Sequence, residues 1–521
     1  MSVLSGAEAA KTVNDFAALA PHTCTAMHTT RASAWLRIVM PVLNEGHALA
    51  QHLRALQTLR QCGAELVVVD GGSTDSTWAL ARAWADQVLL APRGRAAQMN
   101  AGAKDCHADV LLFLHADTKL PADADRLIAE AIKSGNSWGR FDVRLDGAHP
   151  MLRVVERLMN LRSRLTGIAT GDQAMFIKRD VFERLGGFAD LPLMEDIELS
   201  KRLKQIGPPA CVKMPVVTSA RRWQQYGVWR TIVLMWRLRL AYFLGASPHA
   251  LAMQYGYAPA PEPVAAAVAI LAKAPVAGLA KTRLIPALGR AGAARAQRRF
   301  TLNTLQVVST ALASALAFAR TSAGTSAVAS AVAANSATGS ASVSLASQPR
   351  PAPPPLTLWC APDATHRFFR ALHCVTGTAC VNQPQGDIGA RMLHAFEQHF
   401  AHHADLPLLL VGTDCPMLAP GHLQQAAQAL TQHDVVLIPA EDGGYVLIGM
   451  RVLVPQAFAG INWSTPHVMA QTRDQLHRAG VSWLELPTLW DVDEPVDWQR
   501  LQTLFEPPHL KTQPRPLRAP A

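Results

Sequence analysis

The sequence predicts two tandem α/β domains, each a largely parallel sheet flanked by helices. Three observations carry that expectation. At 521 residues the chain exceeds the size at which one hydrophobic core keeps growing. From Leu36 to about Gly256, short apolar runs alternate with helical stretches, which is the pattern of a β/α domain. A Pro-rich break, "YAPAPEPV", then interrupts the pattern, after which the same alternation starts afresh.

In the first half the strands are "LRIVMPV" (36–42), "AELVVVD" (64–70) and "VLLFLHAD" (110–117), with helices expected near His47 to Leu59 and from about Thr74. In the second half they are "AAAVAILAK" (265–273), "PLTLWCAP" (355–362), "LPLLLVGTDCP" (406–416) and "HDVVLIPAEDGGYVLIGM" (433–450). The expected boundaries are a disordered leader over 1–35, a first domain over 36–256, a linker over 257–263 and a second domain over 264–506. Residues 321–355, an Ala/Ser tract ending in prolines, read as a disordered insertion because small side chains bury too little surface to offset ordering entropy. The basic end over 507–521 reads as a disordered tail.

Composition narrows the classes. With 49% apolar and 17% charged residues the chain can fill two cores. Its eight cysteines include no C-x-x-C pair or zinc-ligand spacing, so reduced thiols in a cytoplasmic setting are expected. The first residues lack the basic start and apolar run of a signal peptide. The most apolar stretch, "VWRTIVLMWRLRLAYFLGA", is interrupted by Arg230, Arg237 and Arg239, so no membrane span is expected. A net charge of +10 suits an anionic partner, but no nucleic-acid-binding module accompanies it, and nucleic acid is not an expected partner.

Ligands of open parallel sheets sit beyond the carboxyl ends of the strands, so polar residues that end apolar runs are the candidates. The first strand ends on "PVLNE" with Pro41, Asn44 and Glu45, the second on Asp70 before "GGSTDST", and the third on His115 and Asp117. One aspartate suffices for a Mg²⁺ site, because substrate phosphates and water complete the octahedron. His115 is either a further ligand or a histidine hydrogen-bonded at a strand end. "APRGRAAQMNAGA" offers the guanidinium forks of Arg93 and Arg95, with Gln98 and Asn100 as neutral donors, all suited to phosphate oxygens. In "SARRW", Arg222 either holds a leaving diphosphate or flanks a packed Trp223. "LPLMEDIELSKRL" puts Glu195 and Asp196 at a helix start, where the dipole favours an ionised carboxylate able to act as a base, or where both merely cap the helix.

"PVLNE", "VVVDGGSTDST", the "HAD" at the third strand and "MEDIELSKRL" together resemble the family-2 glycosyltransferases of the glycosyltransferase-A fold. "GRAAQMNAGA" and "SARRW" are similar to the bacterial radical-SAM/selenodomain-associated subfamily. The resemblance implies a Rossmann-like nucleotide-diphospho-sugar transferase domain in which Asp70 contacts the nucleoside, Asp117 ligates Mg²⁺ or Mn²⁺ on the diphosphate and Asp196 is the base of an inverting transfer. His115 departs from the family, which more often has an acid there.

The second half offers Lys273, Lys281 and Arg283 in "KAPVAGLAKTR" after a strand, a loop of cations and backbone donors suited to phosphates. It has neither Walker A spacing nor G-x-G-x-x-G. Asp414, Asp442, Gly443, Asp491 and Asp493 follow at or between strand ends. This set resembles bacterial proteins similar to the molybdenum-cofactor and 2-phospholactate guanylyltransferases. By that likeness the cations hold the phosphates of a nucleotide or nucleoside triphosphate, Asp414 holds a metal and Asp491 or Asp493 assists. A catalytically silent nucleotide-binding module and a second glycosyltransferase are the alternatives. Cys415 has no activating base in sequence and reads as a small buried residue.

"MLRVVERLMNLRSRL" and "VWRTIVLMWRLRLAYF" mix apolar and Arg-rich faces, as helices do that lie on the inner face of a membrane near a lipid-linked acceptor. Core helices with solvated arginines are the other reading.

Overall fold

The computed structural model describes residues 34–257, 263–335 and 355–505. The chain divides between Pro261 and Glu262 into two compact units. The leader, the 507–521 tail and most of the expected linker lie outside the described residues.

The first unit holds β1 (Leu36–Val42), β2 (Ala64–Asp70), β3 (Gln87–Leu90), β4 (Val110–Phe113), β5 (Thr118–Lys119), β6 (Trp138–Asp146), β7 (Met175–Lys178) and β8 (Ala210–Ser219). Their order across the sheet is β3-β2-β1-β4-β7-β6-β8-β5. Strands β1 to β4 pair in parallel, as their unbroken Val, Leu and Ile runs demand of strands covered on both faces. Strand β7 is antiparallel to both β4 and β6, so the sheet is mixed beyond the point where sequence predicted parallel pairing. The helices Gly46–Ala55, Arg95–Ala103 and Glu195–Ile206 among others cover it. One face is filled by Val39, Val67, Leu111 and Ile177, against which Phe113, Phe182 and Phe188 meet edge to face or tilted at 4.9–5.6 Å.

The second unit holds β9 (Ala267–Lys273), β10 (Leu356–Ala361), β11 (Ala379–Asn382), β12 (Leu408–Val411), β13 (Val435–Pro439), β14 (Tyr445–Met450) and β15 (Trp483–Glu485), ordered β11-β10-β9-β12-β14-β13-β15. Here too the strand next to the fourth, β14, runs antiparallel to both neighbours. Counting strands in chain order and setting aside the two-residue β5, each sheet reads 3-2-1-4-6-5-7. The fold is therefore the same α/β sheet used twice.

The Ala/Ser tract differs from expectation. Helix continues from Ile285 to Asn335, kinked at Gly289, and so takes in the first part of the segment expected to be disordered. Alanine, the best helix former, explains why small side chains extend a helix already anchored at its start; residues 336–354 lie outside the described residues. Overlapping its start, Thr282–Ala317 is long and apolar enough to cross a membrane by length and composition. Sequence inspection expected no such segment. Its Ala293, Ala296, Phe300, Val307 and Val308 are buried, as in a core helix.

Candidate functional site

In the first domain the loops after β1 and β2 interlock. Asn44, in a left-handed backbone conformation, donates its N–H to the Ser73 hydroxyl at 2.9 Å, and its side-chain oxygen accepts from the Thr74 N–H at 2.9 Å. Glu45 donates its N–H to Thr77 at 2.8 Å. Pro41 is buried within β1 beside Val69. Asp70 is 1% exposed, and its Oδ1 accepts the N–H groups of Gly72 at 2.8 Å and Ser73 at 2.6 Å. Its Oδ2 is buried without a partner. Burial pushes this carboxyl up to about 6, although the Ser73 and Gly72 donors pull the other way.

Asp117 lies just past β4, and its main-chain carbonyl accepts from Ser219 at the end of β8 at 3.2 Å. Its carboxylate takes only a 3.5 Å contact from the Thr118 hydroxyl. His115 pairs through Nδ1 with Asp172 at 3.4 Å. Gly171 permits this, since a Cβ there would lie 2.4 Å from the His115 ring. Burial opposes ionisation of Asp172, but His115 and then Arg95 hold it below the usual carboxylate range.

Asp196 opens the helix Glu195–Ile206 after Met194 in a left-handed conformation. Its Oδ2 accepts the Gly171 N–H at 2.9 Å and its Oδ1 the Ile197 N–H at 2.7 Å. Glu195 is buried, and burial followed by the Asp196 charge raises it to about 7. Burial also disfavours the charged form of Arg95, yet Glu195 foremost, with Tyr255 and Asp172, keeps it above its ordinary value. Arg93 carries a buried Nε with no partner. His115, Asp172, Glu195, Asp196 and Arg95 thus form one charged cluster.

Two expected phosphate donors are spent elsewhere. Gln98 donates from Nε2 to the carbonyls of Val42 at 2.9 Å and Val69 at 2.8 Å, tying β1 to β2. Asn100 exchanges both amide bonds with the backbone of Phe188. Both amides bond to backbone, Gln98 also accepting the Gly94 N–H of the loop at 3.4 Å. In "SARRW", Arg221 crosses to Glu45 at 3.1 Å and His47 at 2.8 Å. Trp223 packs against Leu145 and Leu152, which answers the open reading for that ring; the side chain of Arg222 lies outside the described residues. Sequence reasoning missed Asp172. Asp172 was detectable only as the acid of "TGDQ", whose Thr170 and Gln173 make a reciprocal cap.

In the second domain Lys281, in a left-handed conformation, is buried with its ammonium between Asp414 at 2.8 Å and Asp493 at 2.6 Å, and it donates to the Val492 carbonyl at 2.8 Å. An ammonium has three donors. All three are used, so Lys281 has none left for the phosphate expected there, and a metal shared by Asp414 and Asp493 would have to displace it. These residues do not fit the metal centre predicted for them. Burial disfavours charge on Lys281, but Asp414 and Asp493 outweigh it and hold the ammonium above its ordinary value. A cavity of about 350 Å³ beside it is lined by Lys273, Arg283, Arg391, Gln297 and Thr413. Asp491 is raised to about 7, by burial first and then by Asp442 and Asp493. Asp442 accepts the Gly444 N–H at 2.9 Å in the β13–β14 turn, and Gly443 has φ +91 with the Pro466 carbonyl 2.2 Å from where a Cβ would be. Cys415 is buried, and burial pushes its thiol up to about 12. No cluster of three or more His, Cys, Asp or Glu suited to a metal occurs among the described residues.

Sheet order and strand-end acids define the class: two α/β domains of one sheet topology in tandem. Residues 37–186 match glycosyl transferase family 2, and residues 345–465 match a family described as an uncharacterized protein conserved in bacteria (DUF2064). The first domain is thus similar to the family-2 glycosyl transferases over residues 37–186. An undecaprenyl-phosphate 4-deoxy-4-formamido-L-arabinose transferase of Pseudomonas fluorescens Pf0-1 is 34% identical over 156 residues, which are 27% of this chain and 45% of that protein. Its counterpart in strain Pf-5 is 31% identical over 158 residues, 28% of this chain and 46% of that protein. The chain therefore spans less than half the length of these curated relatives. Among solved structures, a putative nucleotide-diphospho-sugar transferase of Desulfovibrio desulfuricans G20 is 26% identical with a TM-score of 0.34, covering 44% of this chain and 82% of that one. A Pyrobaculum calidifontis mannosyltransferase solved with GDP-Man and Mn²⁺ is 21% identical with a TM-score of 0.31, covering 48% and 71%.

Proposed function

We propose that the protein is a glycosyltransferase whose first domain moves a sugar from a nucleotide diphosphate donor by inverting displacement. The observation that carries this reading is the buried, unpartnered Oδ2 of Asp70 at the carboxyl end of β2. A buried acceptor without a donor is costly, and an N–H of a nucleoside base entering the interlocked β1 and β2 loops would satisfy it. Arg93 and Arg95 supply cations for the diphosphate. Asp117 fits a Mg²⁺ or Mn²⁺ site, since such ions use one or two carboxylates with phosphate oxygens and water, and its carboxylate is nearly free of protein partners. A divalent ion there would stabilise the charge of the leaving diphosphate. Asp196, with Glu195 as its neighbour, takes the proton of an acceptor hydroxyl.

The second domain binds a nucleotide or another phosphate ester through Lys273, Arg283 and Arg391 in the cavity beside Lys281. Whether it acts as a nucleotidyltransferase or as a silent binding module is distinguished by pyrophosphate release from a triphosphate. The membrane-peripheral placement rests on the Arg-rich amphipathic helices and on the undecaprenyl-phosphate named for the Pseudomonas relatives.

A thermal-shift screen against nucleotide diphosphate sugars tests the donor reading, because a ligand that binds the folded state raises its melting temperature. At least one donor should stabilise the chain, and Asp70→Asn should remove that shift. Stabilisation unaffected by Asp70→Asn would remove Asp70 from the donor site.

A further inference from the structure

The cavity of about 350 Å³ in the second domain is lined by four basic side chains, Lys273, Lys281, Arg283 and Arg391, and by two acids, Asp414 and Asp493. It therefore carries a surplus of two positive charges. The acids are not shared evenly among the cations, because Lys281 takes both, at 2.8 and 2.6 Å. Lys273 is exposed, and its ammonium has no partner among the described residues. Arg391 donates to neutral oxygens, the Gly386 carbonyl at 3.1 Å and the Gln383 amide oxygen at 3.3 Å. Arg283 comes no nearer to an acid than 3.9 Å, and that acid, Asp493, is already bonded to Lys281. Three cations thus face one cavity without counter-ions of their own, an arrangement that an entering anion relieves.

Lys281 is fixed in place by every group around it. Its three ammonium protons go to Asp414, Asp493 and the Val492 carbonyl, and the Phe300 ring centroid lies 5.6 Å away. The two carboxylates outweigh burial and keep it charged. A divalent ion on Asp414 and Asp493 would have to expel this ammonium, and would raise the positive surplus of the cavity further. A phosphate monoester carries about two negative charges at pH 7. The cavity matches that charge as it stands, whereas a nucleoside triphosphate brings more.

The mouth of the cavity is apolar. Leu279, 62% exposed, and Ile388 line it. Ala361, also in the lining, occupies the register position at which the first domain has Asp70, so this site has no buried carboxylate there to accept from a nucleoside base.

We propose that the second domain binds a phosphate monoester without a divalent cation. Lys273, Arg283 and Arg391 hold the phosphate, Lys281 stands between Asp414 and Asp493 where a metal ion would otherwise sit, and Leu279 and Ile388 cover an apolar group of the ester. This rests on the phosphate-ester reading of the second domain above and narrows it to a ligand that brings no metal and whose base, if it has one, is not read.

Calorimetric titration of the full chain with phenyl phosphate, in EDTA and then in Mg²⁺, tests this, with inorganic phosphate and guanosine and uridine monophosphates as comparisons. Phenyl phosphate should bind in EDTA, and Mg²⁺ should change its Kd by less than about twofold. It should bind about tenfold tighter than inorganic phosphate, because its ring is covered by apolar side chains, and at least as tightly as either nucleotide. Lys273→Gln should weaken binding about tenfold in both buffers and leave the melting temperature unchanged, since that side chain is exposed and unpartnered. Leu279→Ser should remove the preference for phenyl phosphate over inorganic phosphate. In Lys281→Met, binding should fall in EDTA and return with Mn²⁺. Binding that requires Mg²⁺ in the unaltered chain would overturn the metal-free site and leave the phosphate-ester reading standing. Binding undiminished by Lys273→Gln, no preference for the ring, or a nucleotide held about tenfold tighter than phenyl phosphate would each overturn the proposal. No binding of any probe in either buffer would overturn the phosphate-ester reading itself, and the proposal with it.

Discussion

The two domains place different chemistry on one sheet. At the end of the fourth strand each has an aspartate, Asp117 or Asp414. In each, the aspartate's main-chain carbonyl accepts from the chain at or beyond a late strand, the Ser219 N–H at the end of β8 at 3.2 Å in one and the Val492 N–H after β15 at 2.9 Å in the other. In each, one glutamine amide ties the first strand to the second: Gln98 reaches Val42 and Val69, and Gln383 reaches Ala272 and Trp359. The frame is held in common, and the difference lies in what fills the strand ends. In the pairing register Val42 sits beside Asp70, but Lys273 sits beside Ala361, so the second domain has an alanine where the first has its buried acid. The first domain leaves its fourth-strand acid nearly unpaired, whereas the second neutralises its own with Lys281. Two copies of a fold thus surround the same acid differently, one leaving it nearly unpaired and the other pairing it with an ammonium of its own chain.

The largest effect that would break this comparison is expected at Lys281. Removing the ammonium in Lys281→Met leaves Asp414 and Asp493 facing each other, a loss of about 2–4 kcal/mol by analogy with halved buried ion pairs, reduced because both acids are partly open to solvent. Chemical denaturation should show it, and Mn²⁺ should restore part of the loss in the variant but not alter the unmodified second site. An undiminished stability would mean that the ammonium is not the internal cation.

The glutamine clamps come next. Gln98→Ala removes two buried hydrogen bonds, with the Val42 carbonyl retaining the Gly71 N–H, and should cost about 1–2 kcal/mol. Gln383→Ala should cost less, because that side chain is less buried. Equal or reversed losses in denaturant titrations would argue against a shared frame.

Asp491 offers a smaller test through pH. Its folded pKa of about 7 lies above the ordinary carboxylate value, so the folded chain binds the extra proton and this group's contribution to stability falls as pH rises from about 4 to 7. Asp491→Asn should therefore be near neutral in melting temperature at pH 4.5. At pH 8 it should be stabilising, on the order of 1–2 kcal/mol, since the buried charge and its repulsion with Asp442 and Asp493 are gone. A variant with the same pH profile as the parent would contradict the burial of that charge.

Sequence carried much of the frame and the acids, and less of their partners. The unbroken apolar runs of β1, β2, β4, β9 and β12 made the parallel core legible, and the polar residues that end them marked Asp70, Asp117 and Asp414. The reversed strands β7 and β14 were not legible, because an apolar strand has the same side-chain period in either direction. Gln98 and Asn100 looked like phosphate donors since an amide serves a backbone carbonyl and a phosphate equally well; only the fold shows which faces it. The opposing role of Lys281 was out of reach for the same reason, since its partners Asp414 and Asp493 lie more than a hundred residues away.

The smallest perturbation addresses the contrast most directly, because Asp117→Asn changes one atom at the acid the first domain leaves nearly unpaired. Calorimetric titration of the full chain with the stabilising nucleotide diphosphate sugar, with and without Mn²⁺, should give tight binding only with the ion for the parent, and weak, ion-independent binding for Asp117→Asn with an unchanged melting temperature. Identical metal dependence in parent and variant would contradict the account.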